Sequence, residues 1–156
     1  MKETLQTCEA PGMKGEIKYC TTSLESMIDY ITSKLGSNGV TLLATNVPKT
    51  SKSVKHQYSI TGVKYESQGE KPMYICHTIK YPYAVYYCHK LQGTKVARVW
   101  MKGDDGSTME AATICHMDTS DWNPEHRAFQ VLNVKPGAAS VCHFIPENNF
   151  VWLGGN

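Results

Sequence analysis

The 156-residue chain has no CxxC, little net charge, and no apolar run near the roughly 18 residues that would span a membrane. Each absence excludes something. Structural zinc sites usually take two ligands from one turn, as C-x2-4-C or H-x3-5-H, so the missing CxxC argues against that class. A net charge of +2 with scattered basic residues gives no footprint for nucleic acid. No membrane-spanning segment is expected. Behind Met1-Lys2-Glu3 there is no apolar h-region, so no signal peptide is read. No linker divides the chain, and with 41% hydrophobic residues it is expected to form one globular domain over 1–156 with its own core.

What is present is a repeated dipeptide. Cys76-His77, Cys88-His89, Cys115-His116 and Cys142-His143 use four of six cysteines and four of six histidines. Chance gives well under one such pair at this composition. Successive side chains on a strand point to opposite faces. Four strands carrying these pairs would set thiols in one layer, free to form disulfides, and imidazoles in another, free to converge on a metal. Two alternatives stay open: zinc with Cys and His as joint ligands, or disulfides with purely structural histidines. Six cysteines, an even number, suit an oxidising compartment.

Along the chain, residues 1–20 read as a capped loop, with turns at Pro11-Gly12 and Gly15 and a disulfide between Cys8 and Cys20. Residues 22–35 predict a helix. Thr22-x-x-Glu25 reads as a capping box, Leu24, Met27, Ile28, Ile31 and Leu35 form one stripe, and Gly36 is the stop. Ser37-Asn38-Gly39 turns into an apolar run at 40–43, and Pro48–Lys55 reads as a solvated basic loop. Strands and turns follow. Residues 73–80 and 84–89 flank Tyr81-Pro82-Tyr83 as a hairpin, which sets Cys76 beside Cys88. Residues 95–101 turn at Gly103-Asp104-Asp105-Gly106 into 108–117. Residues 127–134 and 140–145, about Pro136-Gly137, read as a last hairpin, which favours Cys115 with Cys142. The expected fold class is α+β: mainly antiparallel sheet, sandwich- or barrel-like, with one N-terminal helix and disulfide staples.

The spacing CH-x10-CH-x25-CH-x25-CH resembles the C-terminal signature of the plant BURP-domain family. Cys8-Glu9-Ala10-Pro11, Gly15–Cys20 and Thr22–Met27 resemble the segment before the first pair in that family. Trp122-x-Pro124, Ala128-Phe129, Val134–Gly137 and Val141–Phe144 resemble its closing segment. The likeness runs from about residue 8 to 152. Two features depart from it. The family's domain usually begins some tens of residues earlier with paired Phe, and many members carry a further His before the final Trp, where this chain has Asn148-Asn149 before Trp152. The chain is therefore expected to be truncated, with a secreted or vacuolar parent.

Candidate ligands are His77, His89, His116 and His143, since imidazole suits copper, zinc, iron and nickel, with Cu(II) held tightest among divalent ions. One or two type II copper centres meeting dioxygen are expected. His126 is a candidate further ligand or a surface turn histidine, and His56 is left out. The resemblance implies an activity: some BURP-domain proteins look like copper-dependent, autocatalytic cyclases that crosslink Tyr or Trp to an unactivated carbon of a core peptide. The peptide is expected in the missing N-terminal part or in trans, because Pro82–Tyr87 lies within the hairpin. Tyr81, Tyr83, Tyr86 and Tyr87 either line a peptide groove or relay radicals, or simply pack the strands. The alternative is a non-catalytic wall or seed protein in which the pairs form a scaffold.

Overall fold

The computed structural model describes residues 2–11, 17–37, 39–48 and 55–155. The elements run α1 (Lys2–Glu9), β1 (Lys18–Thr21), α2 (Leu24–Leu35), β2 (Thr41–Ala44), β3 (Tyr58–Ser67) and β4 (Met73–Ile79). They continue with β5 (Val85–Leu91), β6 (Thr94–Gly103), β7 (Thr108–His116), α3 (Arg127–Leu132), β8 (Val141–Phe144) and β9 (Phe150–Leu153). The class is as expected, mainly antiparallel sheet with few helices, the longest near the N-terminus, and three disulfides. The chain forms two compact units. The first comprises Met1–Asn46, Lys71–Gln92 and Pro146–Asn156, and the second Val47–Glu70 and Gly93–Ile145.

In the first unit the strand order is β1-β5-β4-β9-β2, with every neighbour antiparallel. Helix α2 covers one face. Its Met27 and Ile31 are fully buried against Tyr74, Cys76, Cys88 and Trp152. Leu24 and Ile28 of the expected stripe stay exposed, so the helix buries a narrower face, completed by Tyr30 and Leu35. Its cap is one residue later than predicted. Ser23 accepts from the Ser26 N–H at 3.1 Å, and the Ser26 hydroxyl accepts from the Ser23 N–H at 3.1 Å, a reciprocal box made by two serines. Glu25 sits in the first turn. Its carboxyl lies below the usual range, first through its own backbone N–H and then through Ser23. Gly36 ends the helix at φ 79°.

The expected loop at 1–20 is corrected. Residues 2–9 form α1, because Lys2 to Glu9 holds no Gly or Pro and Pro11 stops the helix only afterwards. An eight-residue helix is marginal by itself. Three ties hold this one: the Cys8–Cys20 disulfide to β1, the Thr4 hydroxyl donating to the Lys80 carbonyl at 2.6 Å, and Lys18 Nζ donating to the Thr7 carbonyl at 2.8 Å. The turn residues Gly12, Gly15 and Asn38, and residues 49–54 of the expected basic loop, lie outside the described residues.

The second unit orders its strands β3-β6-β7-β8, again antiparallel. Val99, Met101 and Ala111 are buried with Tyr58 and Met109 against them. Arg98 joins Glu66 at 2.9 Å and Glu110 at 2.6 Å, a charge link across the sheet. The β3–β6 register is bulged between Ile60 and Gly62, where a Cβ on Gly62 would meet the Trp100 ring at 3.3 Å. Residues 127–132 are helix, not the first strand of a hairpin. His126 caps them, Phe129 is buried, and Asn133 ends them in the left-handed conformation at φ 52°. Six residues are too few for apolar period to separate helix from strand.

Peptide mapping without reduction is expected to recover Cys8 linked to Cys20, Cys76 to Cys88 and Cys115 to Cys142. A free thiol or a different pairing at any of the six would contradict this architecture.

Candidate metal centre

Strand alternation builds the site. In the β4–β5 hairpin Cys76 lies directly opposite Cys88, and the two are bonded with Cα atoms 4.0 Å apart. Both point into the core under α2. One residue on, the direction reverses. His77 pairs with Tyr87 and His89 with Ile75, which sets His77, Tyr87 and His89 along the opposite face. The Nε2 atoms of His77 and His89 stand 3.3 Å apart, with the rings 5.4 Å apart at 29°. The Tyr87 ring lies 5.3 Å from His89 and 6.5 Å from His77, and Lys18 Nζ stands 5.5 Å from the Tyr87 ring centroid. Tyr86 turns the other way, to Phe150 and the core, while Tyr83 is exposed and packs its ring against Tyr81. Asn149, from the loop before β9, places its Oδ1 3.2 Å from His77 Nδ1.

The second unit repeats the device. Cys115 faces Cys142 across β7 and β8 and is bonded to it, with Cα atoms again 4.0 Å apart. His116 pairs with Val141 and His143 with Ile114, so both imidazoles lie on the face away from the sulfurs. Their rings stack at 5.6 Å and 21°. Trp122 meets His116 edge-on at 4.9 Å. His143 is exposed, with Nδ1 3.2 Å from the Phe144 carbonyl. Each unit therefore holds one pair of candidate histidines.

The donor chemistry can be tested against a metal. Two imidazole nitrogens bound at about 2.0–2.1 Å with a tetrahedral angle stand about 3.3–3.4 Å apart. In a tetragonal arrangement, the habit of Cu(II), they stand about 2.9 Å apart. The 3.3 Å between His77 and His89 fits the first and needs a small closure for the second. Neutral imidazole is the right donor for either. All six cysteines are in disulfides, which removes them as thiolates and overturns the reading of Cys and His as joint zinc ligands.

His126 caps a helix. Its Nδ1 accepts the Ala128 N–H at 3.2 Å and caps α3, while its ring packs on Trp122 at 4.9 Å. His56, outside the candidate ligand set, sits against two carboxylates. Its Nδ1 meets Asp104 at 2.9 Å and its Nε2 meets Asp105 at 3.5 Å, and these three are the one group of three or more such side chains close enough to share an ion among the described residues. Asp105 stays below the usual carboxylate range because the Ser107 hydroxyl and N–H donate to it. The β3–β6 register, which sets Tyr58 opposite Gly103, and the Asp104 N–H donating to the Gln57 carbonyl at 3.0 Å bring these residues together, and no sequence spacing signals it. A cleft lined by Tyr19, Thr21, Ser26, Asp29 and Tyr30 contains none of the histidines.

A family model described as BURP domain matches residues 1–154. The chain belongs to the BURP-domain family. BURP domain protein RD22 of Arabidopsis thaliana is 47% identical over 154 residues, covering 98% of this chain and 39% of that protein. BURP domain-containing protein 3 of Oryza sativa subsp. japonica is also 47% identical over 154 residues, covering 97% of this chain and 36% of the relative. BURP domain protein USPL1 of Arabidopsis thaliana is 41% identical over 160 residues, covering 98% and 57%. The chain thus spans between 36% and 57% of the length of these plant relatives. Among the described residues of this BURP domain no helix is long and apolar enough to cross a membrane.

Copper loading of single variants tests whether the paired histidines differ from His126. His89→Ala is expected to lower the copper retained after dialysis with the fold intact. His126→Ala is expected to leave retention unchanged and to cost about 1 kcal/mol through the lost cap. Copper loss on the His126 change, by metal analysis of the dialysed protein, would contradict this division.

Proposed function

We propose that the chain is the BURP domain of a copper-dependent oxidative peptide cyclase. Its substrate is a ribosomal core peptide in which Tyr or Trp becomes joined to an unactivated carbon. The observation that carries this reading is the paired imidazoles, Nε2 to Nε2 at 3.3 Å, on the strand face that the disulfide leaves free. His77 and His89 would hold copper in the first unit, and His116 and His143 in the second. Copper supplies redox chemistry with dioxygen that ordinary side chains lack. The balance is simple: two X–H bonds of the peptide are replaced by one bond between the two atoms, and dioxygen takes up the two electrons and two protons.

The protein's own part is binding and placement. Tyr87 lies beside both rings of the first pair and offers an aromatic surface there. The core peptide comes from sequence outside these 156 residues or in trans. Three disulfides suit the secretory pathway, with a vacuolar or extracellular destination.

A second reading, a non-catalytic secreted wall or seed protein, draws on the second unit. There His116 packs edge-on to Trp122 and His143 meets a backbone carbonyl, contacts that a structural histidine also makes.

Cyclisation of a Tyr- or Trp-containing peptide, followed by mass loss of two hydrogens, is expected to need both copper and dioxygen. A chelator or an anaerobic chamber should each abolish it. Product formed under either condition would rule out the oxidative mechanism.

A further inference from the structure

Asn149 is buried, at 8% exposed, in the loop between β8 and β9, and its side-chain amide has a partner on every side. Nδ2 donates to the carbonyls of Pro146 and Glu147, each at 3.2 Å. Oδ1 accepts the Thr78 N–H at 3.1 Å. The Thr78 hydroxyl also donates to the Asn148 carbonyl, tying β4 to this loop a second time. Flipping the amide would set NH2 against an N–H and oxygen against two carbonyls, so its orientation is fixed. The atom that faces His77 Nδ1 at 3.2 Å is therefore a pure acceptor.

An imidazole nitrogen facing a pure acceptor must carry the proton. In the neutral ring that leaves the other nitrogen bare. The bare atom is Nε2, the one aimed at His89 Nε2. We infer that Asn149 is a positioning residue that sets the tautomer of His77, holding its proton on Nδ1 and presenting the Nε2 lone pair beside His89. A histidine with no such partner favours the opposite tautomer in water, with the proton on Nε2. Partners of this kind orient metal-binding histidines and raise their basicity. The tautomer follows from the hydrogen bonds alone, whereas its use in holding copper rests on the reading proposed above.

The test uses the metal-free, 15N-labelled protein and a long-range 1H–15N correlation of its imidazoles, with His77→Gln identifying the His77 signals. The expected pattern for His77 is the Nδ1–H tautomer. In Asn149→Leu, which removes the acceptor, it is expected to move to the Nε2–H or an averaged pattern. Asn149→Asp loses the Nδ2 donors and is expected to be less stable, yet it keeps an oxygen for Nδ1 and should keep the Nδ1–H pattern. An Nε2–H His77 in the unaltered protein overturns the assignment, as does an unchanged Nδ1–H pattern in folded Asn149→Leu. Titrating the same proteins with Cu(II) should show binding weakened about 10–100-fold in Asn149→Leu. An Nδ1–H His77 in a protein that binds no copper supports the role of Asn149 and defeats the copper reading. Copper bound beside an Nε2–H His77 in the metal-free state does the reverse.

Discussion

The two-residue alternation of a strand, locked in two antiparallel strand pairs by a disulfide between directly opposed residues, is the constraint on which the rest depends. Cys76 opposite Cys88 fixes the β4–β5 register, and Cys115 opposite Cys142 fixes that of β7–β8. A slip of one residue would send every side chain to the other face, and the covalent bond forbids it. With the sulfurs committed to one face, the adjacent imidazoles have only the other. The dipeptide is thus a geometric device: one residue sets the register and its neighbour displays a donor. Removing either of these disulfides would cost roughly 2–5 kcal/mol, the usual range for a small disulfide-bonded domain, and it would also free the histidines to separate.

The same logic keeps the sulfurs of Cys76 and Cys88 apart from the imidazoles. In the first unit they lie beneath α2, fully buried with Met27 and Ile31, on the side of the sheet that His77 and His89 do not face. A bonded sulfur offers no thiolate. The imidazole face is built differently, from Tyr87, the two rings and an amide whose four hydrogen bonds are all made within its own unit. Family membership accords with this division. It does not carry an activity with it, since the chain covers 39% and 36% of two of its relatives.

Much of this was legible in the residues. Strong local signals, such as Tyr81-Pro82-Tyr83 between two apolar runs or Gly103–Gly106 before β7, gave hairpins where they occur. The missed elements were weak or ambiguous locally. Helix α1 is held by tertiary ties from Thr4, Cys8 and Lys18 that no local pattern announces. Helix α3 reads as strand from the sequence because Phe129 and Val131 favour strands in isolation, and within the helix only Phe129 is buried. Strand β9 is short and apolar, with a role that appears only once it lies between β4 and β2. The placement of Asn149 and of His56 was invisible for another reason. Asn149 reaches Thr78 and His77 across 71 and 72 positions of sequence, and His56 reaches Asp104 across 48, contacts that follow from strand pairing and not from local spacing.

The most direct measurement is copper per chain after Cu(II) loading and exhaustive dialysis of the fully oxidised protein, with the resonance spectrum of the same sample. The account predicts one or two copper ions retained per chain, with a type II spectrum split by imidazole nitrogen. No retained copper, or a spectrum without nitrogen coupling, would contradict it and leave the paired histidines as packing elements of a disulfide scaffold.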